Sequence, residues 1–430
     1  MQYTIKNARL LDGSVVDVVI KDGTITEIGN SLNVGEIVNA DKNLLIPGLV
    51  DLHTHLREPG REDSETVATG SMAAAKGGFT AISAMANTFP VADTAGVVEQ
   101  VFRLGQEAGY CDVFPIGAVT QGLKGEALAE LGAMANSKAR VRMFSDDGKC
   151  VSDPLLMRRA LEYVKTFNGI IAQHAQDPAL TVGSQMNEGV VSSKLGLTGW
   201  PAVAEEAIIA RDILLAEHVG SRLHICHLTT AGGVDLLRFA KSRGISVTAE
   251  VTPHHLLLTD ELVSNYDPVF KVNPPLRTEQ DVMALRAGLA DGTIDIVGTD
   301  HAPHPTEDKD CEWQSAAFGM VGLETALSVV VKSMIETKLM SWSDLVDRMS
   351  IAPARIAGYS NHGRNIAVGA PANLTIIDTS SNWIVDRNRL ASKSKNTPFQ
   401  AMSLPARVLH TFFNGNLVLK DSELVRGGSN

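Results

Sequence analysis

Eight short apolar runs, most of them followed by an amphipathic stretch, constrain this chain more than any other feature. They are GLVDLHTHL, FTAISAMANT, VFPIGAVT, RVRMFSDD, GIIAQHAQD, RLHICHLTT, SVTAEVTPHH and TIDIVGTDHAPH. Runs this short, apolar on both faces, read as strands buried from two sides. The stretches between them, such as DTAGVVEQVFRLGQEAG, PLLMRRALEYVKTF and AVAEEAIIARDILLAEHVG, carry the period of amphipathic helices. Strand–helix alternation repeated eight times, with parallel crossovers, is the pattern of a (β/α)8 TIM barrel, an α/β fold. An open doubly wound sheet is the rival architecture. It would carry a glycine-rich phosphate turn after an early strand, and no G-x-G-x-x-G occurs in the chain.

The two ends have a different period. YTIKNARLL, VVDVVIKDG, TITEIG and EIVNADKNLLIPG at the start, and ANLTIIDTSSNWIV and ARVLHTFFNGNLVLKD at the end, read as strands joined by KDG and NGN hairpin turns. Residues 1–47 and 366–430 are therefore expected to form one small β-sandwich-like accessory domain, interrupted by a barrel over 48–365.

Composition removes several classes of function. The net charge is −11 and no Lys/Arg block is present, so no nucleic acid is expected as a partner. No apolar run approaches the ~20 residues of a membrane span, and the N-terminus lacks the pattern of a signal peptide, so no membrane is expected and the cytoplasm is the expected location. Cys111, Cys150, Cys226 and Cys311 are far apart, which argues against a disulfide framework or a cysteine zinc site.

Polar residues collect where the strands end. His53/His55, Asn87, Asp146/Asp147, His174, His227 and Asp300/His304 all fall at or just past the C-terminal ends of expected strands. In a barrel these ends form the catalytic rim. A lone histidine on an apolar strand is more often a hydrogen-bonded core residue than a ligand. His53 and His55 differ, because residues two apart on a strand point the same way and can reach one metal ion. A carboxylate from FSDDG can offset the repulsion between two metals, and strand parity leaves Asp146 and Asp147 both open. Asp300 suits both metal ligation and proton transfer. His224, three residues before His227, is expected to face the opposite side, and His254 and His255 to support the rim. His218, His362 and His410 lie away from it.

The ordered series HTHLREPG, ANTFPVAD, FSDDG, QHAQD, CHLTT, EVTPHHL, VNPPLR and TDHAPH, from about residue 45 to 330, strongly resembles the amidohydrolase superfamily, and within it the type I dihydroorotases. The resemblance implies reversible, zinc-dependent ring closure of N-carbamoyl-L-aspartate to (S)-dihydroorotate, a step of pyrimidine biosynthesis. It implies one or two Zn2+ ions, two being expected. His53, His55 and Asp300 would hold one ion and His174 and His227 the other, with Asp147 as the bridge. Asp300 would be the catalytic proton carrier. The substrate would be bound by His55, Leu56, Arg57, Asn87, Asn273, His304, Phe318 and Gly319.

Many relatives bridge their metals with a carboxylated lysine on the fourth strand. VRMFSDDG has none, and Lys149 comes only after the strand. That weighs against a dihydropyrimidinase or hydantoinase. The full set of histidines weighs against a non-catalytic partner subunit of aspartate transcarbamoylase. Met-Ala-Asn-Thr and Ala317-Phe318-Gly319 stand where the family often has proline. The polar, aperiodic HPTEDKDCEWQSAAFG is expected to be a lid. No motif shows a homodimer or an association with aspartate transcarbamoylase, and both stay open.

Overall fold

The eight apolar runs form eight parallel strands in the computed structural model, which describes residues 1–425. They are β1 (Leu49–Thr54), β2 (Phe79–Ala84), β3 (Asp112–Pro115), β4 (Met143–Phe144), β5 (Ile170–Gln173), β6 (Arg222–Ile225), β7 (Val247–Val251) and β8 (Ile296–Val297). Parallel ladders run from β1 to β3 and from β4 to β8 in chain order. Two parallel bridges, Gly117 to Phe144 and Thr54 to His301, close the ring. Closure in sequence order makes this the (β/α)8 barrel.

Helices follow each strand: α1 (Val67–Lys76), α2 (Ala95–Ala108), α3 (Leu131–Asn136), α4 (Pro154–Lys165), α5 (Val203–Val219), α6 (Ala231–Ser242), α7 (Glu279–Asp291) and α8 (Ala326–Val330). Their starts are set by local chemistry. The side chains of Thr66, Asp153, Thr230 and Thr278 each accept a first-turn N–H. No helix among the described residues is long and apolar enough to cross a membrane.

Strands of both chain ends join one nine-stranded sheet among the described residues. The N-terminal half meets the C-terminal half where Leu44–Pro47 pairs antiparallel with Leu374–Ile377. Asp22–Gly23 and Asn414–Gly415 all have positive φ, as type I′ hairpin turns require. This sheet has its own core, including Ile5, Ile20, Leu45, Leu374 and Phe412. Gly48 separates the sheet from β1, and a Cβ there would meet the Thr80 side chain at 2.3 Å. Residues 426–430, the end of the expected C-terminal β segment, lie outside the described residues.

Strand alternation decides which polar residues reach the interior. Met143, Ile170, Ala172 and Ile296 share one buried cluster with Val50 and Leu52. Continuing the alternation past the strand ends gives Asp147 after Met143, His174 after Ala172 and Asp300 after Ile296. Phe144, the other face of β4, packs with the helices.

Candidate active site

Four imidazoles and two carboxylates converge at the C-terminal mouth of the barrel. His53, His55, Asp147, His174, His227 and Asp300 are each buried. Asp147 stands between two imidazole pairs. Its Oδ2 lies 3.4 Å from His53 Nε2 and 3.2 Å from His55 Nε2. Its Oδ1 lies 3.2 Å from His174 Nδ1 and 3.0 Å from His227 Nε2. Asp300 Oδ1 faces the first pair, 3.0 Å from His55 Nε2 and 3.5 Å from His53 Nε2. Asp146 is turned away. It accepts from the Val119 and Thr120 N–H groups at 2.8 and 2.9 Å and anchors the end of β3.

Three of the four rings are held from behind by an oxygen. His53 Nδ1 is hydrogen-bonded to the Glu250 carboxylate, His55 Nδ1 donates to Asn87 Oδ1 at 2.8 Å, and His174 Nε2 donates to Gln176 Oε1 at 2.7 Å. An imidazole whose outer N–H is donated this way presents a lone pair on its inner nitrogen. Two consequences suit a metal. The buried His53 Nε2 makes no hydrogen bond, and a buried polar atom so left carries a desolvation cost that a ligated cation relieves. His174 Nδ1 and His227 Nε2 lie 2.9 Å apart, a distance two lone pairs tolerate only with a proton or a cation beside them. The ligand atoms of His53, His55 and Asp147, and those of Asp147, His174 and His227, fall within 4.8 Å of one another in each group. Imidazole and carboxylate donors at this spacing fit Zn2+ and its neighbours.

The electrostatics agree. Burial disfavours the charged form of His53, but Asp147 and Glu250 outweigh it and hold its pKa well above the ordinary value. Burial likewise works against an ionised Asp147, yet His53, His174 and His227 keep its pKa well below the carboxylate range. Asp300 is held at about 2 against burial, by His55 and by the charges of His53 and His227. Carboxylates held ionised against buried imidazoles at these distances suit a bound cation. Arg57, His227 and Asp300 have φ of 63°, 28° and 46°, left-handed conformations that non-glycine residues seldom adopt and that cluster at functional sites.

The expected substrate residues occupy the same rim. Arg57 Nε donates to the Pro303 carbonyl at 3.1 Å, and its Nη2 lies 3.3 Å from His304 Nε2. No carboxylate pairs with Arg57 among the described residues. Burial lowers its pKa to about 10, which leaves it charged at neutral pH. His304 Nε2 donates to the Phe318 carbonyl at 2.8 Å, and burial and Arg57 push its pKa down to about 3. Asn273 Nδ2 is 3.4 Å from Gln176 Oε1, and its buried Oδ1 is unpartnered. Gly319, at φ 146°, is required: a Cβ would meet His304 Nε2 and the Ala302 Cβ at 2.8 Å. Leu56 is not brought to the pocket by its side chain, which belongs to the core beneath α1.

His224 corrects the expectation made for it. It faces the same interior as His227, with Nε2 3.3 Å from Glu250 Oε2, because the left-handed backbone at His227 breaks the strand alternation. Sequence reading also missed Glu250 behind His53, Gln176 behind His174, and Lys309, which donates to the same Lys271 carbonyl that accepts from the Gly319 N–H. An acidic residue inside the apolar run SVTAEV was a usable signal for Glu250. Nothing local marked the others.

Residues 42–232 match the family described as dihydro-orotase-like. A dihydroorotase of Streptomyces coelicolor is 67% identical over 423 residues, 98% of this chain and 99% of that protein. A dihydroorotase of Mycobacterium tuberculosis is 53% identical, with 96% of this chain and 97% of that protein covered. The chain belongs to the dihydroorotase family. As such it is a cyclic-amide hydrolase of a metal-dependent superfamily, with dihydroorotase function. The shared fold extends further. An L-hydantoinase (dihydropyrimidinase) from Arthrobacter aurescens superimposes with a TM-score of 0.88 at 26% identity, covering 98% of this chain and 97% of that one. A D-hydantoinase from Thermus sp. gives 0.81 at 22% identity, covering 100% and 98%. Within this fold the present chain has Asp147 between its imidazole pairs, and Lys149 is exposed on the surface.

Proposed function

We propose that the dihydroorotase reaction is carried out at this rim on two divalent ions, Zn2+ being the best match to the donors. His53, His55 and Asp300 would hold one ion, His174 and His227 the other, with Asp147 shared between them. The observation that carries the reading is the division of the two Asp147 oxygens between the two imidazole pairs. Bound ions would supply Lewis-acid polarisation of the ring amide carbonyl and a lowered pKa for water.

This chain's own residues supply the rest. The substrate carboxylate is gripped by Arg57, whose guanidinium has no ion-pair partner among the described residues, with His304 beside it. Asn87, Asn273 and the backbone at Phe318–Gly319 fix the ring, with the backbone of His55 and Leu56 as its floor. In ring opening, water adds to the amide carbonyl carbon and the ring C–N bond breaks. Asp300 accepts the proton of the attacking water and delivers it to the leaving ring nitrogen. Cyclisation of N-carbamoyl-L-aspartate runs the same transfers in reverse and releases water. The barrel over 48–365 carries all of these groups, and the β segments 1–47 and 366–430 are read as one accessory unit.

The test compares dihydroorotate with dihydrouracil and hydantoin on zinc-loaded protein, with Asp300→Ala as control. Turnover of dihydroorotate alone, lost in the control, supports the assignment. Turnover of the uncharged rings with equal efficiency would refute the role of Arg57, and silence on all three would refute catalysis.

A further inference from the structure

The C-terminal segment returns to the barrel mouth after leaving it, and one side chain from it enters the substrate rim. Asn396, 7% exposed, accepts from the His304 N–H through Oδ1 at 3.2 Å. Its Nδ2 donates to the Ala302 carbonyl at 3.0 Å and the Gly319 carbonyl at 3.2 Å. Its own carbonyl accepts from Val321 N–H at 3.2 Å. The residue thus joins the loop after β8, which carries Asp300 and His304, to the segment carrying Phe318 and Gly319. The strap that delivers it is itself pinned. Glu65 accepts from Lys393 N–H at 2.9 Å and bonds the Ser392 hydroxyl. Ser394 donates to the Ser64 carbonyl at 2.6 Å, and Glu324 accepts from Ala391 and Ser392 N–H groups at 2.8 and 3.1 Å.

We propose that Asn396 is a positioning residue for the carboxylate subsite, holding His304 and Gly319 in the register that Arg57 and the substrate carboxylate require. The inference rests on the dihydroorotate reading above. Its physical ground is the lack of slack at this point. His304 and Gly319 are packed so closely that a single added carbon would overlap both His304 and Ala302. All three polar contacts of the Asn396 side chain end on backbone atoms, so no rotamer change of a neighbour can replace them. Asn396 touches no metal-facing imidazole, so its loss acts on substrate binding and leaves the ions in place.

The test measures KM and kcat for dihydroorotate, bound zinc and Tm in the unsubstituted enzyme, Asn396→Ala and Asn396→Asp. Asn396→Ala is expected to raise KM about ten- to hundredfold, with kcat within about threefold and zinc content unchanged. A purely structural role would lower Tm and the active fraction and leave KM where it was. Asn396→Asp retains the acceptor for His304 and regains a donor only when protonated. Its KM relative to the unsubstituted enzyme should therefore fall as pH is lowered into the range where that carboxyl takes up its proton. This second variant carries the test if the alanine form does not fold. Unchanged KM in Asn396→Ala, or a pH-independent ratio in Asn396→Asp, overturns the assignment of Asn396 alone. Absence of dihydroorotate turnover in the unsubstituted enzyme overturns the functional reading, and this inference with it.

Discussion

Replacing Glu250 by glutamine keeps the shape of a side chain only 1% exposed and removes its charge. The carboxylate bonds His53 Nδ1, accepts from the His227 N–H at 3.2 Å and lies 3.3 Å from His224 Nε2. A glutamine offers one acceptor oxygen where the carboxylate offers two, so either His53 or His224 is left facing an amide N–H2. The site cannot relax around the change, since Gly298 already approaches so closely that a Cβ there would be 2.4 Å from Glu250 Oε2. Losing a charge-assisted bond of this kind costs about 1.5–3 kcal/mol. If the loss falls on the metal-holding geometry of His53, zinc affinity drops by about 10- to 150-fold. The usual effect of removing a partner behind a metal-bound histidine, about 10- to 100-fold, agrees. The apparent Kd for zinc would be measured by competition with a chelator of known affinity, with Tm as the control for folding. Most of kcat should return at saturating zinc. A zinc affinity within twofold of the unsubstituted protein, at unchanged Tm, would refute the argument that Glu250 sets the His53 donor.

Further outcomes follow from the same geometry. Asp300→Asn should lower kcat by about 10²- to 10⁴-fold, the usual contribution of a positioned proton carrier, measured at saturating dihydroorotate and zinc. Arg57→Lys keeps the charge but loses the planar fork, and is expected to raise KM for dihydroorotate while kcat changes less. Gly319→Ala should impair both KM and kcat without loss of zinc, because the new methyl displaces His304. Lys309, buried in the segment after β8, donates to the carbonyls of Lys271 and Ala317 at 3.0 and 2.8 Å. Burial and neighbouring Lys271 lower its pKa from 10.5 to about 7. A locally unfolded segment would bind more protons than the packed one between about pH 7 and 10.5, so the packed form is favoured further as pH rises through that window, by at most about 1.4 kcal/mol per pH unit. Limited proteolysis within 305–319 should slow over that range, and Lys309→Met should remove the dependence.

Much of the fold was legible because burial on two faces leaves a strong mark on sequence. Eight strands enclosed by helices must be apolar throughout, and their polar ends stand out against that background. The type I′ turns were legible for a similar local reason, since Asp-Gly and Asn-Gly tolerate positive φ. The same parity argument that places His174 and Asp300 inward failed at His224, where the left-handed backbone of His227 resets the alternation.

The sequence by itself determined the alternation of elements, the pairing of His53 with His55, and the gathering of polar groups at strand ends, because these depend on spacing along the chain. Only the tertiary structure decided the different placement of Asp146 and Asp147, with one accepting from the backbone after β3 and the other facing four imidazoles. It alone also decided the partners standing behind the site: Glu250 at His53, Gln176 at His174 and Asn396 at His304. Closing the barrel and folding the C-terminal strap back across its mouth brings together residues as far apart as His304 and Asn396. Hydrogen bonds between such distant residues leave no periodicity in the sequence from which they could be read.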